Sequence, residues 1–248
     1  MSTIPKKITK LIAISLLLSS SVEAMADSSF KDMMSFLNSS TATDYNYVGV
    51  RGGVVVPGKT EGNTDLQGTS GSTTSVYGIS LGRKFMDRFA AEVEYSYRNS
   101  SSFNNTSLIN GTVPTNSKNT WGVKSQTLML NVAADLLTHE TIRPYVKLGM
   151  GFSKNKSENY IQSTGTKSST WAGKNNTSFA YQAAFGLNFA TSKMIDTNFE
   201  YAFINRGQFK TYDRVTNVRS NGITETDSTA RKGTLKEQVI TVGFKVKF

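Results

Sequence analysis

The sequence contains no cysteine, one histidine and four prolines among its 248 residues. Without cysteine the chain has no disulfides and no thiolate metal ligands, so its fold must depend on burial and hydrogen bonding. A single histidine, His139, cannot by itself build a zinc site. After the N-terminus, no apolar run approaches the roughly 20 residues of a membrane-spanning helix. We therefore expect a chain that is either soluble or crosses a membrane with strands.

The N-terminus has the three parts of a secretory signal peptide. The basic part contains Lys6, Lys7 and Lys10, and the apolar core is residues 11–18. The cleavage site is Ala24-Met25-Ala26. As a helix, the apolar core would span about 12 Å against a hydrocarbon core of about 30 Å, which argues against a membrane anchor. We predict a signal peptide at residues 1–26 and export of the remaining chain.

Residues 27–44 form a distinct N-terminal segment of the exported chain. Its apolar residues at near-helical spacing are Phe30, Met33, Met34, Phe36 and Leu37. The spacing is compatible with a short amphipathic helix on the periplasmic side. Because termini are often disordered unless they are tied down, a frayed leader is the alternative, and both interpretations stay open.

The chain is basic, with 28 Lys and Arg residues against 18 Asp and Glu residues. A positive balance of this kind indicates anionic neighbours such as nucleic acid, anionic lipid or acidic glycans. Export argues against nucleic acid. A solvated surface that is basic without a specific anionic partner remains the alternative.

Eight stretches between Tyr47 and the C-terminus alternate apolar with small or polar residues. A period of two places successive side chains on opposite faces of a strand. The stretches are Tyr47–Val56, Val76–Phe85, Arg88–Arg98, Val123–Ala134, Ile142–Ser153, Ser178–Phe189, Ile195–Asn205 and Glu237–Phe248. Each has about 10 to 12 residues, which fits a tilted strand that crosses a bilayer.

The connections between these stretches alternate between short and long. The short ones are Met86–Asp87, Asp135–Thr141 and Ala190–Met194, and the long ones are Pro57–Ser75, Asn99–Gly122, Lys154–Thr177 and Arg206–Lys236. Short turns on one rim and long loops on the other are typical of outer-membrane barrels. A soluble β-sandwich would give no reason for this alternation. Residues 45–248 thus predict an all-β fold, an eight-stranded antiparallel transmembrane β-barrel with short periplasmic turns and four long extracellular loops.

Charged residues of both signs occupy the face of the strands that is predicted to point inward. The candidate lumen residues are Arg51, Lys84, Glu92, Glu94, Arg143, Lys147 and Glu200, together with Asp196 and Lys245. The interior of an eight-stranded barrel is only wide enough to be filled by side chains. We predict an interior plugged by ion pairs and disfavour a small porin.

The C-terminal residues carry a resemblance to known proteins. The ending Val242–Phe248, with apolar Phe244, Val246 and a terminal Phe248, is similar to the signal that the barrel-assembly machinery reads in outer-membrane proteins. The stretch Arg143–Gly151 resembles the fifth strand of the OmpA/OmpX-like, or opacity-like, family of eight-stranded barrels. The loops are loosely similar to those of small rickettsial surface adhesins. This resemblance implies an outer-membrane location with the loops at the cell surface.

The third and fourth predicted loops, Lys154–Thr177 and Arg206–Lys236, are net basic, and long loops on a rigid scaffold often carry binding sites. The candidate binding residues are Trp121, Tyr160, Trp171, Lys174, Lys210, Tyr212, Arg214, Arg219 and Arg231. Aromatic residues would supply hydrophobic anchors and basic residues would attract acidic groups. The resemblance favours an adhesin that binds a host-cell protein, an extracellular protein or an acidic glycan. The alternative is a structural barrel whose basic residues bind lipopolysaccharide.

Catalysis needs separate consideration, because some eight-stranded barrels modify lipid A. Activation of a hydroxyl nucleophile would require a histidine near a serine and a carboxylate. His139 lies in a predicted short turn beside Glu140, at the end of the barrel away from the outer leaflet. We therefore expect no enzyme activity and no cofactor.

Overall fold

The computed structural model of the chain describes residues 44–59, 61–62, 71–85, 87–107, 117–137, 141–219 and 221–248. The predicted signal peptide, residues 1–26, lies outside the described residues. The same is true of the predicted N-terminal segment, residues 27–44, except for Asp44.

The described residues form twelve β-strands and no helix. The strands are β1 (Tyr45–Pro57), β2 (Glu61–Gly62), β3 (Thr74–Phe85), β4 (Phe89–Ser107), β5 (Ser117–Asp135), β6 (Ile142–Ser157), β7 (Tyr160–Thr164), β8 (Lys167–Gly173), β9 (Asn175–Ala190), β10 (Ile195–Arg219), β11 (Gly222–Asp227) and β12 (Lys232–Lys247). In the described part of the chain, no helix is long and apolar enough to cross a bilayer.

Eight of these strands close into an antiparallel barrel. The ring runs β1, β3, β4, β5, β6, β9, β10 and β12, and β12 then pairs with β1. Backbone hydrogen bonds fasten the closing pair, since Asn46 N donates to Phe248 O at 3.1 Å and Phe248 N donates to Asn46 O at 2.9 Å. Closure leaves no open edge in the ring, as a barrel in lipid requires.

Short turns lie at one end of the barrel and long connections at the other, as the sequence predicts. Across the turn between β3 and β4, Phe85 pairs with Phe89. The link from Ala190 to Ile195 is held by hydrogen bonds in which Thr191 N and Ser192 N both donate to Ile195 O, at 3.1 and 2.9 Å. We call this end the turn end and the opposite end the rim.

The alternating pattern separates an apolar outer face from a polar inner face. Along β5, Leu128, Leu130 and Val132 are exposed, while Thr127, Met129 and Asn131, which alternate with them, are buried. The same alternation in the other ring strands produces a band of exposed apolar side chains around the barrel, which we call the apolar belt. A belt of this kind would be unfavourable in water and is the lipid-facing surface of a membrane barrel.

Most of the eight ring strands are longer than the predicted 10 to 12 residues. The ring strands range from 12 residues in β3 to 25 in β10, because backbone pairing continues into segments that the sequence suggests are loops. The predicted loop Lys154–Thr177 contains the β7–β8 hairpin, in which β7 also pairs with β5, and β8 with β10. The predicted loop Arg206–Lys236 contains the second half of β10 and all of β11. The rim therefore extends the barrel wall.

Candidate functional site

The interior of the barrel is filled in layers, beginning at the turn end with ion pairs between different strands of the ring. Lys84 Nζ lies 2.5 Å from Asp135 Oδ2. Arg143 and Lys247 both contact Asp196, at 2.6 and 2.7 Å. Because these side chains are shielded from solvent, the pairs close the turn end of the lumen.

Three glutamates and two cations form the central layer. Arg51 contacts Glu94 and lies 2.7 Å from Glu200. Lys147 Nζ lies 2.7 Å from Glu200 and 3.3 Å from both Glu92 and Glu94. Each glutamate thus has a cationic neighbour, which buried carboxylates require.

Two tyrosines complete the central layer. Tyr47 Oη donates to Glu92 at 2.9 Å, and Tyr145 Oη donates to Glu200 at 2.8 Å. Each tyrosine lies directly across from a glycine, Tyr47 from Gly82 and Tyr145 from Gly186, so that the rings fill the space that the glycines leave. Lys245 Nζ lies 4.9 Å from the centre of the Tyr47 ring.

Little space remains within the central layer. The void among Arg51, Glu92, Glu94, Lys147 and Glu200 has a volume of about 20 Å³, which is on the order of one water molecule. The seven candidate lumen residues all lie in the interior and all take part in ion pairs. Ion-paired side chains thus occupy this layer of the lumen, and the absence of an aqueous path through it stays a prediction.

A buried charge cluster, whose members are not among the predicted lumen residues, lies nearer the rim. Arg98 on β4 and Arg206 on β10 both contact Glu237 on β12, with Nε–Oε distances of 2.6 and 2.7 Å. Arg206 also donates to Thr127 Oγ1 at 2.6 Å. The sequence assigns Arg206 to a loop, and this is wrong because β10 continues to Arg219, and Arg206 follows Ala202 and Ile204 in the inward series. We call these three residues the Arg98–Glu237–Arg206 cluster.

An aromatic plug fills the lumen at the rim and corrects the prediction for three candidate binding residues. Trp121, Tyr160 and Trp171 are 2%, 1% and 4% exposed, so they are not surface anchors. Phe103 stacks on Trp121 with ring centres 5.1 Å apart, Trp121 lies 5.6 Å from Tyr160, and Tyr160 lies 5.3 Å from Trp171. The rings point inward because β5, β7 and β8 continue the barrel wall beyond the apolar belt.

Arg231 lies over this plug and is only partly exposed. Its guanidinium carbon is 4.5 Å from the centre of the Trp171 ring and 5.5 Å from that of Tyr160. A cation over an aromatic face is attracted by the electron-rich ring. Arg231 therefore caps the plug and is less available to a partner than its place in a loop suggests.

The remaining candidate binding residues lie on the outside of the rim. Arg214 and Arg219 are exposed, Lys174 and Lys210 are half-buried, and Tyr212 is exposed with Lys174 Nζ 4.9 Å from its ring centre. Basic side chains outnumber acidic ones on the described part of the rim. The acidic residues there are Glu61, Glu158, Asp213, Glu225 and Asp227.

The β10–β11 hairpin is the most exposed element of the rim. All six residues of β11 are exposed. Val218 pairs with Ile223 near its tip, and Ile223 is 71% exposed. Arg214 lies 3.9 Å from both Glu225 and Asp227, in surface pairs of little strength. The hairpin thus presents an apolar pair with arginines close by.

The described residues contain no cluster of three or more His, Asp or Glu side chains that would hold a metal ion. His139 and the adjacent Glu140 lie outside the described residues. Phe244, Val246 and Phe248 are exposed on the outer face of β12 and at the chain end. Their role as an assembly signal stays a prediction.

A closed eight-stranded barrel with an apolar belt and an interior filled by charged residues defines a small outer-membrane β-barrel. The chain belongs to the family described as outer membrane protein beta-barrel domain, whose model matches residues 12–248. Membership of this family implies a location in the bacterial outer membrane.

Known structures with a similar arrangement have little sequence in common with this chain. Neisserial surface protein A is 15% identical, with 82% of this chain and 97% of that chain covered and a TM-score of 0.48. OprG from Pseudomonas aeruginosa is 13% identical, with 82% and 96% covered and a TM-score of 0.46. Ail from Yersinia pestis, solved with a heparin analogue, is 14% identical, with 82% and 99% covered and a TM-score of 0.38. No curated protein matches the sequence.

Proposed function

We propose that this barrel is an adhesin, oriented with its rim outside the cell, and that the rim binds a host-cell or extracellular protein. The observation that carries the proposal is the exposed β10–β11 hairpin. Its Val218–Ile223 pair offers an apolar contact, and Arg214 and Arg219 offer cations close to it. Apolar anchors surrounded by polar groups are typical of protein-binding surfaces.

The chemistry of the rim indicates an acidic partner. Basic side chains dominate the exposed rim, and a surface with one sign of charge attracts the opposite sign over several ångströms. An acidic protein surface or an acidic glycan on that protein fits this charge. The burial of Trp121, Tyr160 and Trp171 moves the expected contact from those aromatic residues to the hairpin and Tyr212.

Two other functions fit the barrel less fully. A structural, lipopolysaccharide-stabilising role is favoured by outward lysines on the wall, and it would operate beside adhesion. A small porin is disfavoured, because the central layer leaves a void of only about 20 Å³. We propose no catalytic role.

The orientation can be tested directly because the natural chain has no cysteine. Single variants Thr224→Cys on β11 and Lys193→Cys at the turn end would be expressed in intact bacteria and treated with a membrane-impermeant maleimide. We expect labelling of Thr224→Cys on intact cells and of Lys193→Cys only after lysis. The reverse pattern would place the rim in the periplasm and overturn the proposal.

Adhesion can then be tested by expressing the chain in a non-adherent bacterium and counting cells bound to epithelial monolayers. The variant Arg214→Gln, Val218→Ser, Arg219→Gln, Ile223→Ser removes the apolar pair and both arginines. We expect its binding to fall to that of the empty strain. A control with Arg88→Gln and Lys193→Gln, at the turn end, carries the same charge change and should bind like wild type. Wild-type binding no better than the empty strain would refute the proposal.

A further inference from the structure

Three lysines cluster on the outer wall of the barrel immediately on the rim side of the apolar belt. Lys124 on β5 lies directly opposite Lys156 on β6. In the next row of outward-facing residues, Lys154 lies opposite Gln126. All three side chains point outward, because they alternate with the buried Ser125 and Asn155. We call Lys124, Lys154 and Lys156 the wall lysines.

The pairing of Lys124 with Lys156 is unfavourable without an anion. Side chains directly opposite each other on antiparallel strands have Cβ atoms about 5 Å apart, and like charges in such a pair destabilise the sheet. Among the described residues, the wall lysines have one acidic neighbour, Glu158, whose Oε1 lies 3.6 Å from Lys124 Nζ. Ser100 Oγ also donates to this carboxylate, at 3.0 Å. One carboxylate against three ammonium groups leaves the patch with a net positive charge.

The apolar belt begins in the very next row. Leu128 lies opposite Phe152, and Phe152 lies opposite Phe179 on β9. The two phenylalanine rings meet edge to face with centres 6.3 Å apart, and each is more than half exposed. Cations and an apolar aromatic row therefore follow each other along the same strands.

A surface cleft adjoins the wall lysines on the rim side. Its volume is about 520 Å³, and Lys156, Glu158, Thr120 and Ile161 are among its lining residues. The cleft forms where β6 ends at Ser157 and β7 takes over the pairing with β5. A volume in the range of ordinary ligand sites provides room for a sugar headgroup.

We propose that the wall lysines bind the phosphorylated headgroup of lipid A in the outer leaflet. The acyl chains would lie against Leu128, Phe152 and Phe179, the phosphate against the wall lysines, and the sugars toward the cleft. The positive charge, the apolar row and their order along the strands match the phosphate and the acyl chains of a single lipid A molecule. This site rests on the orientation proposed above and is separate from the host-binding hairpin.

Binding can be measured by native mass spectrometry of the refolded protein in maltoside micelles, which contain no phosphate. The probes are bisphosphorylated lipid A, the same lipid after dephosphorylation, phosphatidylglycerol, and inorganic phosphate as a competitor. The test variant is Lys124→Gln, Lys154→Gln, Lys156→Gln. The control is Lys118→Gln, Lys167→Gln, Lys232→Gln, which has the same charge change at exposed rim positions away from the belt. A heat-dependent mobility shift on gels verifies that each variant is folded.

We expect wild type and the control to retain bisphosphorylated lipid A, and the test variant to bind it at least about tenfold more weakly, since one hydrogen bond to a charged group contributes about that factor. Dephosphorylated lipid A should bind equally weakly to all three. Equal affinity of the test variant and wild type would overturn the proposal. Equal binding of phosphatidylglycerol, or displacement by millimolar inorganic phosphate, would overturn the assignment to lipid A. Because this assay needs neither host cells nor a defined orientation, its failure is distinguishable from loss of adhesion.

Discussion

Arg206 Nε lies 2.7 Å from Glu237 Oε2, and both side chains are completely buried inside the barrel. Arg98 contacts the other oxygen of the same carboxylate. The three residues belong to β10, β12 and β4, so the cluster joins strands from different parts of the ring. Transfer of charges from water into a protein interior is unfavourable unless they are paired, which makes Glu237 essential to both arginines.

Replacing Glu237 should therefore destabilise the barrel strongly. In Glu237→Gln, two buried guanidinium groups lose their counter-charge, and we expect the free energy of unfolding to fall by about 3–5 kcal/mol. Urea unfolding in lipid vesicles, followed by tryptophan fluorescence, measures the change. Glu225→Gln, which removes an exposed carboxylate on β11, should leave the unfolding curve unchanged. Coincident curves for the two variants would show that the cluster does not stabilise the fold.

Two adjacent glycines of β1 should respond differently to alanine. A Cβ at Gly53 would collide with Ile240 O and would lie 2.8 Å from Thr241 Cα, both backbone atoms of β12. A Cβ at Gly52 would meet nothing closer than Tyr77 Cδ1 at 3.7 Å. Because β12 is the strand that closes the barrel on β1, Gly53→Ala must push the closing pair apart.

We expect Gly53→Ala to lower the free energy of unfolding by about 1–3 kcal/mol, in the range of overpacked sites. Gly52→Ala should be neutral or slightly stabilising, since glycine is a poor strand residue. The same vesicle assay compares the two. A loss of similar size in both variants would mean that strand propensity, and not the contact with β12, determines the result.

The filled lumen predicts the absence of ion conduction. Purified wild-type protein in a planar bilayer should give no stable conductance steps, with a 16-stranded porin as the positive control. Trp121→Ala removes part of the aromatic plug but leaves the ion pairs of Arg51 and Lys147 beneath it. This variant should also stay silent. Steps in Trp121→Ala alone would show that the plug closes the lumen and the central layer does not.

The membrane-crossing part of the fold could be predicted from the sequence because lipid imposes a strict alternation. Apolar residues such as Leu128 and Leu130 must face the bilayer, so the residues between them are assigned inward without further information. The inward positions of Arg51, Glu94 and Lys147 follow from this rule alone. Strand order and the short turns follow from the alternating lengths of the connections.

The rim could not be predicted in the same way, because outside the bilayer nothing requires an apolar outer face. Ser, Thr and Asn on both faces of β5 and β10 hide the period of two, although pairing continues. The inward direction of some rim residues can still be predicted by continuing the alternation of the strand beyond the apolar belt. Trp121 continues the inward series Thr127, Ser125 and Val123, and Arg206 continues the series Ala202 and Ile204. For Tyr160 this extrapolation fails, since Glu158 and Asn159 interrupt the strand between β6 and β7.

A charge placed on the apolar belt should test where the membrane contacts the barrel. Leu130 is 58% exposed in the middle of the apolar stretch of β5, and Ile223 is 71% exposed on the β10–β11 hairpin. If exposure alone mattered, the two positions should tolerate a charged side chain almost equally well. If Leu130 contacts lipid and Ile223 contacts water, only Ile223 should tolerate one. In Leu130→Arg a guanidinium would enter hydrocarbon, and we expect the free energy of unfolding in vesicles to fall by about 2–4 kcal/mol. Ile223→Arg should unfold like wild type, because its side chain stays in water. If Leu130→Arg also unfolds like wild type, the middle of β5 does not face the hydrocarbon core.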